Sequence, residues 1–458
     1  MVEHQVPLLG SFSSSDEESL KRTGTMWTAV AHIITAVIGS GVLSLAWSVA
    51  QLGWIAGPLS LIFFAGITIV SSFLLCDCYR HPDPEYGPNR NPSYVQAVKL
   101  FLGEKSQKLC RIFVYECFYG GGVAYTITAA ISMSRCRAIQ KANCYHIEGH
   151  EAKCEYGDSF YILLFGAVQI VMSQIPDMHN MVWLSVLATI MSFFYSFIGF
   201  GLGFAQVIEN GEIKGSISGA PAANLGDKFQ ALGDIVYAYP FSLLVLEIQN
   251  TLRSPPSENK TMKKASMTAT SLATFFYFCC GCFGYAAFGN NTPGNILTGF
   301  GFYEPYWLIG LANACIVLHL IGGYQIYSQP VFSLFERWFE EQYPSSGYMN
   351  TSYKFKLPLL PPFRMNLCRL WYRTVYVVST TTMAMMFPYF NQVLGVLGSF
   401  NFWPMCIYFP VEMYLVQKKI SPWTTKWIML KTFSLLGLLV SVAGLVGSVQ
   451  GILRAKFG

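Results

Sequence analysis

Long apolar segments alternate with short polar breaks along nearly the whole chain. Most segments approach the roughly 20 residues that an α-helix needs to cross the hydrocarbon core of a bilayer. We therefore predict an all-α integral membrane protein with about 11 transmembrane helices, numbered here as spans 1 to 11. The spans are placed near residues 27–47, 55–76, 112–134, 160–175, 182–207, 235–248, 265–288, 306–328, 370–387, 393–416 and 427–449.

Two of these spans carry residues that interrupt a helix at mid-depth in the membrane. Span 1 contains Gly39-Ser40-Gly41, and span 6 contains Pro240. Glycine weakens a helix by about 1 kcal/mol and proline by about 3 kcal/mol. The backbone groups that such breaks expose are costly in hydrocarbon, so breaks persist only where they are buried or line a cavity.

Each interruption taken alone has a simple structural explanation. Gly39 and Gly41 suit close helix packing, and Pro240 suits a kink. The two breaks, however, open the first and the second group of five spans, which is the sequence pattern of an inverted-repeat transporter. We predict a 5+5 inverted-repeat fold with broken helices 1 and 6 and one extra C-terminal helix. The first repeat covers about residues 27–207, the second about 231–416, and the extra helix about 427–449.

A zwitterionic ligand matches the polar groups that both breaks offer. Backbone N–H groups at the start of the half-helix after Gly39 can bind a carboxylate, helped by the helix dipole. Unpaired carbonyls from Tyr237 to Tyr239 can accept hydrogen bonds from an ammonium group, and the aromatic rings there can wall a side-chain pocket. The predicted substrate-binding residues are Ile38, Gly39, Ser40, Gly41, Tyr237, Ala238, Tyr239 and Phe241.

The composition excludes most other classes of protein. Hydrophobic residues make up 53% of the chain and charged residues 12%, about half the charged share of an ordinary soluble domain. The net charge of +5 comes from Lys and Arg scattered singly or in pairs, so we expect no nucleic-acid partner. Walker, nucleophile-elbow, zinc-helix and dinucleotide-binding motifs are absent from suitable contexts. We therefore expect no enzyme, no metal and no cofactor beyond coupling protons.

The distribution of Lys and Arg among the loops predicts the orientation. About 22 of the 30 lie on the side of the N-terminus, and the positive-inside rule places that side in the cytoplasm. We expect residues 1–24 to form a polar cytoplasmic tail, with span 1 as its own insertion signal because the tail lacks an apolar core. An odd number of spans then puts the C-terminus outside.

Three cysteines, Cys136, Cys144 and Cys154, cluster in one polar loop that this orientation places outside, in an oxidising setting. A bridge between Cys144 and Cys154 would close a short loop and is the favoured pairing, although Cys136 can replace either partner. Most of the other cysteines lie in apolar segments, where they act as small hydrophobic residues.

Ionisable side chains inside the spans are candidates for the coupling ion. His32 lies about two turns before the break in span 1, and His319 lies within span 8. Because histidine titrates nearest to physiological pH, we predict that the two lie close together and share the coupling proton. A neutral, hydrogen-bonded histidine is the alternative for each. Asp234 is expected at the outer start of span 6, where a carboxylate stabilises a helix N-terminus.

Several motifs carry a family resemblance that extends from about Thr23 to Gly458. They are RTGT (22–25), GSGVLSLAW (39–47), QLGW (51–54), SQIP (173–176), LEIQ (246–249), TLRS (251–254) and GFYEPYW (301–307). Together they resemble the plant amino acid permeases of the amino acid/auxin permease family, within the amino acid–polyamine–organocation superfamily. The resemblance implies a plasma-membrane symporter that imports neutral and acidic amino acids with protons. It also implies broken helices 1 and 6, an eleventh helix, an outside C-terminus, and substrate contact at the break from Ile38 to Gly41.

Two positions depart from that family's pattern. Pro240-Phe241 stands where members usually carry a polar, small pair, and Gly310 stands where they usually carry Asp. The departures bear on the substrate range.

Other readings of the function stay open. These are an importer of auxin, GABA or basic amino acids, a sodium-coupled importer, and an amino-acid sensor that does not transport. The expected partners are an amino acid and the bilayer; the oligomeric state stays open, and a monomer is compatible with the sequence.

Overall fold

The computed structural model describes residues 22–136, 158–174, 182–221, 223–300, 306–343, 352–355 and 363–457. The helices in these ranges are α1 (Met26–Val37), α2 (Leu45–Asp77), α3 (Tyr94–Cys136), α4 (Asp158–Met172), α5 (Val182–Asn210), α6 (Leu225–Ala238), α7 (Ser242–Thr251), α8 (Glu258–Phe288), α9 (Ile296–Gly299), α10 (Tyr306–Gln342), α11 (Leu367–Met386), α12 (Phe390–Asn401), α13 (Phe409–Gln417) and α14 (Thr425–Phe457). Two antiparallel hairpins pair β1 (Arg80–His81) with β2 (Asn89–Arg90), and β3 (Ser352–Phe355) with β4 (Phe363–Asn366).

Seven helical stretches in the described part of the chain are long and apolar enough to cross a membrane. They are Leu45–Asp77, Leu187–Asn210, Leu225–Thr251, Glu258–Asn291, Trp307–Ser333, Phe390–Gln417 and Thr425–Phe457. Large apolar side chains such as Leu59, Ile62 and Phe63 are exposed on the helix surfaces, as expected where lipid replaces water. The chain is therefore an all-helical membrane protein. Helices α1, α3, α4 and α11 occupy the remaining predicted spans, while the count of 11 crossings and the inverted repeat stay predictions.

Helix α2 joins the outer part of predicted span 1 to the whole of span 2. The two spans meet at a kink, because Gly53 has φ 82° and ψ 178°, in the left-handed region that favours glycine. A Cβ at Gly53 would lie 2.2 Å from the backbone nitrogen of Gly219, so the segment after α5 packs directly on the kink. A glycine kink, rather than a polar loop, divides these spans.

The first predicted interruption lies between α1 and α2. A capping box formed by Thr25 and Thr28 begins α1, which ends at Val37. Ile38 and Gly39 leave the helical conformation with φ/ψ of −80°/84° and −125°/−149°. A short 3₁₀ segment, Ser40–Leu43, then leads into α2.

The second predicted interruption lies between α6 and α7. Helix α6 begins with a capping box of Asn224 and Asp227 and ends at Ala238, and α7 begins at Ser242. Pro240 lies between them and has no N–H group to continue the hydrogen-bond ladder. Both broken helices are therefore confirmed at the positions where the sequence predicts them.

The broken helices lie at the centre of the helix packing. Helix α8 packs along α1 and α2, whereas α12 and α14 pack on α6. Helix α10 packs against both α3 and α5. The interrupted backbone is thus enclosed by other helices, which is where membrane proteins tolerate non-helical backbone.

Polar contacts tie several elements together at one end of the bundle, here called the basic end. Arg22 donates hydrogen bonds of 3.1 and 3.3 Å to the backbone and side-chain oxygens of Asn250. Gly24 forms a parallel bridge with Leu252, which joins the start of α1 to the end of α7. Arg80 donates bonds of 2.7 and 3.1 Å to the buried Glu258. These arginines belong to the side on which the sequence analysis groups most Lys and Arg.

The opposite end carries the start of α6 and the end of α14, where Arg454 lies 3.6 Å from Asp227. The Trp54 indole donates a 3.1 Å bond to the Lys214 carbonyl on the same side. The grouping of the loops into two sides is therefore consistent with the contacts, while the side that faces the cytoplasm stays a prediction.

Several predicted features fall outside the described residues. Residues 1–21 of the polar tail, the division between spans 4 and 5 at 176–180, and both Cys144 and Cys154 lie there. The tail and the disulfide therefore stay predictions.

Candidate functional site

The two helix interruptions meet each other in the middle of the protein. A Cβ on Gly41 would lie 3.1 Å from both the Cα and the Cβ of Ala238, and 3.3 Å from Cδ1 of Tyr237. Only a residue without a side chain allows this approach of one backbone to the other. The structure therefore brings together the residues that the sequence predicts as the two halves of one site.

Tyr277 of α8 links the carbonyl groups at the ends of the two half-helices. Its hydroxyl lies 2.6 Å from the Val37 carbonyl oxygen and 2.7 Å from that of Ala238. A hydroxyl has one proton, so it can satisfy only one of these carbonyls at a time. The Val37 carbonyl also accepts from the Gly39 N–H at 2.9 Å, so Tyr277 can donate its proton to the Ala238 carbonyl, whose second lone pair can still accept from a ligand.

The sequence analysis missed Tyr277. It lies in the run Phe275-Phe276-Tyr277-Phe278 of an apolar span that also contains Ser271 and Thr274. A buried tyrosine hydroxyl usually finds a hydrogen-bond partner. Its hydroxyl at mid-span was the available signal, but its partners could not be identified from sequence spacing.

The donor side of the site is the start of the Ser40–Leu43 segment. The first N–H groups of a helix have no partner within it, so those of Ser40 and Gly41 are available to an acceptor. The far end of the segment is fixed by Ser44, whose backbone N–H and hydroxyl bond the Gly41 carbonyl at 3.2 and 2.9 Å. The first N–H groups of this segment thus lie beside a small space at Gly39, where an added Cβ would meet no atom nearer than 3.8 Å.

His319 of α10 faces this space. Its Nδ1 lies 2.8 Å from the Ala188 carbonyl oxygen, which can only accept, so Nδ1 carries a proton. In the neutral ring, Nε2 is then an acceptor. It lies 3.9 Å from where a Cβ of Gly39 would be, and the Tyr125 hydroxyl lies 3.8 Å from the same point. His319 therefore lies beside the first break.

His32 lies elsewhere on α1. It is half-buried and seven residues before Gly39, which corresponds to about 10 Å along a helix. The predicted closeness of His32 and His319 stays a prediction.

The remaining predicted residues lie at the two breaks. Tyr239 is buried, and its ring lies 5.0 Å from that of Tyr277 in an edge-to-face arrangement. Phe241 is buried at the start of α7, and Ile38 is buried at the end of α1. Aromatic and aliphatic groups therefore enclose the polar backbone atoms of both interruptions.

The expectation that Asp234 lies at the outer start of its helix is wrong. Helix α6 begins at Leu225, and Asp227 is the carboxylate of its first turn. Asp234 lies far inside the helix with no exposed surface. The polar first turns of α6 resemble a loop in sequence, which is why hydropathy places the helix start too late.

A sequence model of the family described as "Transmembrane amino acid transporter protein" matches residues 22–454. The chain belongs to this family. The match covers both interruptions and every helix of the bundle, so the family's transporter domain accounts for the whole described structure.

Relatives from Arabidopsis thaliana resemble this transporter over nearly its full length. Probable amino acid permease 7 is 60% identical over 445 residues, covering 95% of each chain. Amino acid permease 3 is 50% identical and covers 97% of this chain and 94% of the permease. Lysine histidine transporter-like 6 is 29% identical, covering 95% and 92%. The resemblance to plant amino acid permeases is confirmed. These relatives are transporters and not enzymes, and the function they support is amino acid transport across a membrane.

Solved transporter structures share the fold of this family member at low sequence identity. MhsT in complex with L-phenylalanine has a TM-score of 0.50 at 12% identity, covering 91% of this chain and 98% of MhsT. A substrate-bound, outward-open Na⁺-coupled sialic acid symporter has a TM-score of 0.50 at 13% identity, covering 94% and 90%. The likeness concerns the fold alone.

We expect Gly39→Ala and Gly41→Ala to have different effects. A Cβ at position 39 would meet its neighbours at 3.8 and 3.9 Å, so the protein should fold while a methyl group occupies ligand space. A Cβ at position 41 would press on the backbone of Ala238 and should lower the melting temperature. Binding of a radiolabelled neutral amino acid should weaken about tenfold in Gly39→Ala, the effect of one misplaced methyl group. Equal melting temperatures for the two variants would contradict this.

Tyr277→Phe should lower stability by about 1–3 kcal/mol, because it keeps the ring packing and removes a hydrogen bond from a buried carbonyl. The measurement is the melting temperature of the purified protein in detergent. Tyr389→Phe is the matched control, since its hydroxyl bonds the exposed Ala455 carbonyl at 3.3 Å. If both variants melt at the wild-type temperature, Tyr277 does not hold the two half-helices together.

Proposed function

We propose that this protein is a proton-coupled importer of neutral and acidic amino acids. The observation that carries the proposal is the meeting of the two interruptions, where the Gly41 position touches Ala238 and Tyr277 bridges the carbonyls of Val37 and Ala238. The meeting of the breaks supports the proposal because it brings backbone donors of the first break close to a backbone acceptor of the second, as a zwitterion requires.

The proposed binding mode follows from the charge of each group. The substrate carboxylate accepts hydrogen bonds from the N–H groups of Ser40 and Gly41, where the helix dipole is also favourable. The ammonium group donates to the Ala238 carbonyl and to Nε2 of His319. The substrate side chain then lies among Ile38, Tyr237, Tyr239 and Phe241, which are the walls of the break.

The relatives support amino acid transport, and the chain is more similar to the amino acid permeases than to the lysine histidine type. Identity to probable amino acid permease 7 is 60%, against 29% to lysine histidine transporter-like 6. A transporter of the lysine histidine type is therefore the less favoured alternative.

The coupling ion, the membrane and the orientation are part of the same proposal. We assign the coupling role to protons, with His32 and His319 as candidate carriers, and we place the protein in the plasma membrane. Its N-terminus lies in the cytoplasm and its C-terminus outside. The clustering of Arg22, Arg80 and Arg253 near the basic end supports this orientation.

The test is uptake by the purified protein in liposomes without sodium. An inward proton gradient should drive accumulation of a radiolabelled neutral amino acid above its external concentration, and a protonophore should abolish it. Accumulation that requires sodium would show that the coupling ion is sodium and not the proton. Binding without any accumulation would indicate a sensor instead of an importer.

Replacing a histidine that carries the coupling proton should flatten the pH dependence of uptake. Wild-type uptake should rise as the external pH falls, because acid supplies the co-transported ion. In His32→Ala or His319→Ala, uptake at two external pH values should become equal. If both variants keep the wild-type pH dependence, the histidines are removed from coupling. A raised KM in His319→Ala would then assign that ring to substrate binding alone.

A further inference from the structure

A buried carboxyl group, that of Asp234, lies beside the proposed substrate site and is not part of the binding mode proposed above. Asp234 is four residues before Ala238, about one helical turn from the end of α6. Its residue is fully buried, and neither side-chain oxygen completes a hydrogen bond within the described residues. Burying an ionised carboxylate without a partner is strongly unfavourable, so this enclosed arrangement suits the neutral acid.

The surroundings of Asp234 offer no countercharge. Its helix packs on α12, α14, the outer arm of α2 and the Ser40–Leu43 segment. Helix α12, residues 45–52 of α2 and residues 40–43 contain no titratable side chain. The cations of α14 lie near its ends, where Lys431 pairs with Glu412 and Arg454 with Asp227.

On α6 itself, the other titratable groups are also placed elsewhere. Asp227 belongs to the first turn, and the Lys228 ammonium donates to the Ser218 carbonyl at 3.4 Å. The Tyr237 ring lies against Gly41. A proton from solution is therefore the available means of neutralising Asp234.

Small residues bring other helices close to the carboxyl group. A Cβ on Gly395 of α12 would lie 2.9 Å from Oδ1 of Asp234 and 2.3 Å from the Ser448 hydroxyl of α14. The Ser448 hydroxyl already donates its proton to the Gly444 carbonyl at 2.8 Å. The layer around Asp234 is thus closely packed, and the unpartnered polar groups described near it, such as the Ser399 hydroxyl against Gly233, are neutral.

Two hydroxyl groups lie between Asp234 and the first helix break. The Ser48 side chain lies near Asp234 without completing a hydrogen bond to it, and it donates to the Ser44 carbonyl at 3.2 Å. The Ser44 hydroxyl in turn donates to the Gly41 carbonyl at 2.9 Å. A protonated Asp234 can donate to Ser48 and leave these hydrogen bonds intact, whereas an ionised Asp234 would draw the Ser48 proton away from the Ser44 carbonyl.

We propose that Asp234 binds the proton that enters with the amino acid, which deepens the proposed function and rests on it. A proton joins one carboxylate oxygen while the site is open to the outside. The neutral acid then allows the close packing of α12 and α14 around Asp234 that is described above. When the basic end opens, the proton leaves and the carboxylate forms again. Its state reaches the substrate through Ser48, Ser44 and the Gly41 backbone. The Nδ1 hydrogen bond of His319 is already satisfied in the neutral ring. Asp234 is therefore the proposed carrier in place of the two histidines, and retained pH dependence in both His32→Ala and His319→Ala is the outcome that this assignment expects.

The test compares wild type with Asp234→Asn in liposomes that contain a trapped pH dye. In wild type, adding a neutral amino acid outside should acidify the lumen. In Asp234→Asn, which resembles the protonated acid in shape and charge, exchange of labelled for unlabelled amino acid should persist. Acidification and accumulation driven by the proton gradient should fall about tenfold or more, because the variant lacks the group that carries the proton.

Asp227→Asn is the matched control, because it makes the same change on the same helix at a partly exposed site paired with Arg454. It should acidify the lumen as wild type does. Acidification by Asp234→Asn at the wild-type rate would overturn the assignment of Asp234 alone. Loss of exchange in both Asp234→Asn and Asp234→Ser would also overturn it and make Asp234 a structural residue. A wild-type protein that accumulates substrate without acidification would overturn proton coupling itself.

Discussion

Backbone groups inside a membrane must be hydrogen-bonded, and the centre of this fold is organised around two places where a helix cannot do so. Helix α1 stops at Val37 and α6 stops at Ala238, so carbonyl groups at both ends lose their helical partners. Tyr277 supplies one donor to the pair from a third helix, and the Gly39 N–H supplies a second to the Val37 carbonyl. Each carbonyl oxygen has two lone pairs, so acceptor capacity remains that a ligand's ammonium group is suited to use. The helix packing around α8 holds this arrangement in place.

The proposed binding mode separates the recognition of the constant and variable parts of an amino acid. In it, the groups that meet a carboxylate and an ammonium are main-chain atoms of the two breaks, which substitution of side chains changes little. The proposed walls are side chains such as Tyr239 and Phe241, whose size and polarity a substitution can change. A family of transporters can therefore keep one mode of binding and change its substrate range at the walls. Pro240 contributes by lacking an N–H, since it keeps α6 and α7 from joining into one helix.

The helix breaks could be predicted from sequence because glycine and proline act on their own backbone. Gly39, Gly41 and Pro240 lie where the structure places the interruptions, and the polar groups of both breaks meet as expected. The roles of Tyr277 and Asp234 depend on partners that are distant in the chain, so no local pattern revealed them. The start of α6 was also misjudged, because its Asn224–Asp227 capping box is polar and resembles a loop. Those ten residues of extra helix are what carry Asp234 into the interior.

The bridge between Gly24 and Leu252 joins the first residues before α1 to the last turn of α7. Both half-helices on this side are thereby fastened into one unit, and Arg22 strengthens the junction through Asn250. They cannot swing outward separately without breaking the bridge. A movement that opens the basic end must therefore carry α1 and α7 together, or first break the backbone bonds between the Gly24 and Leu252 segments.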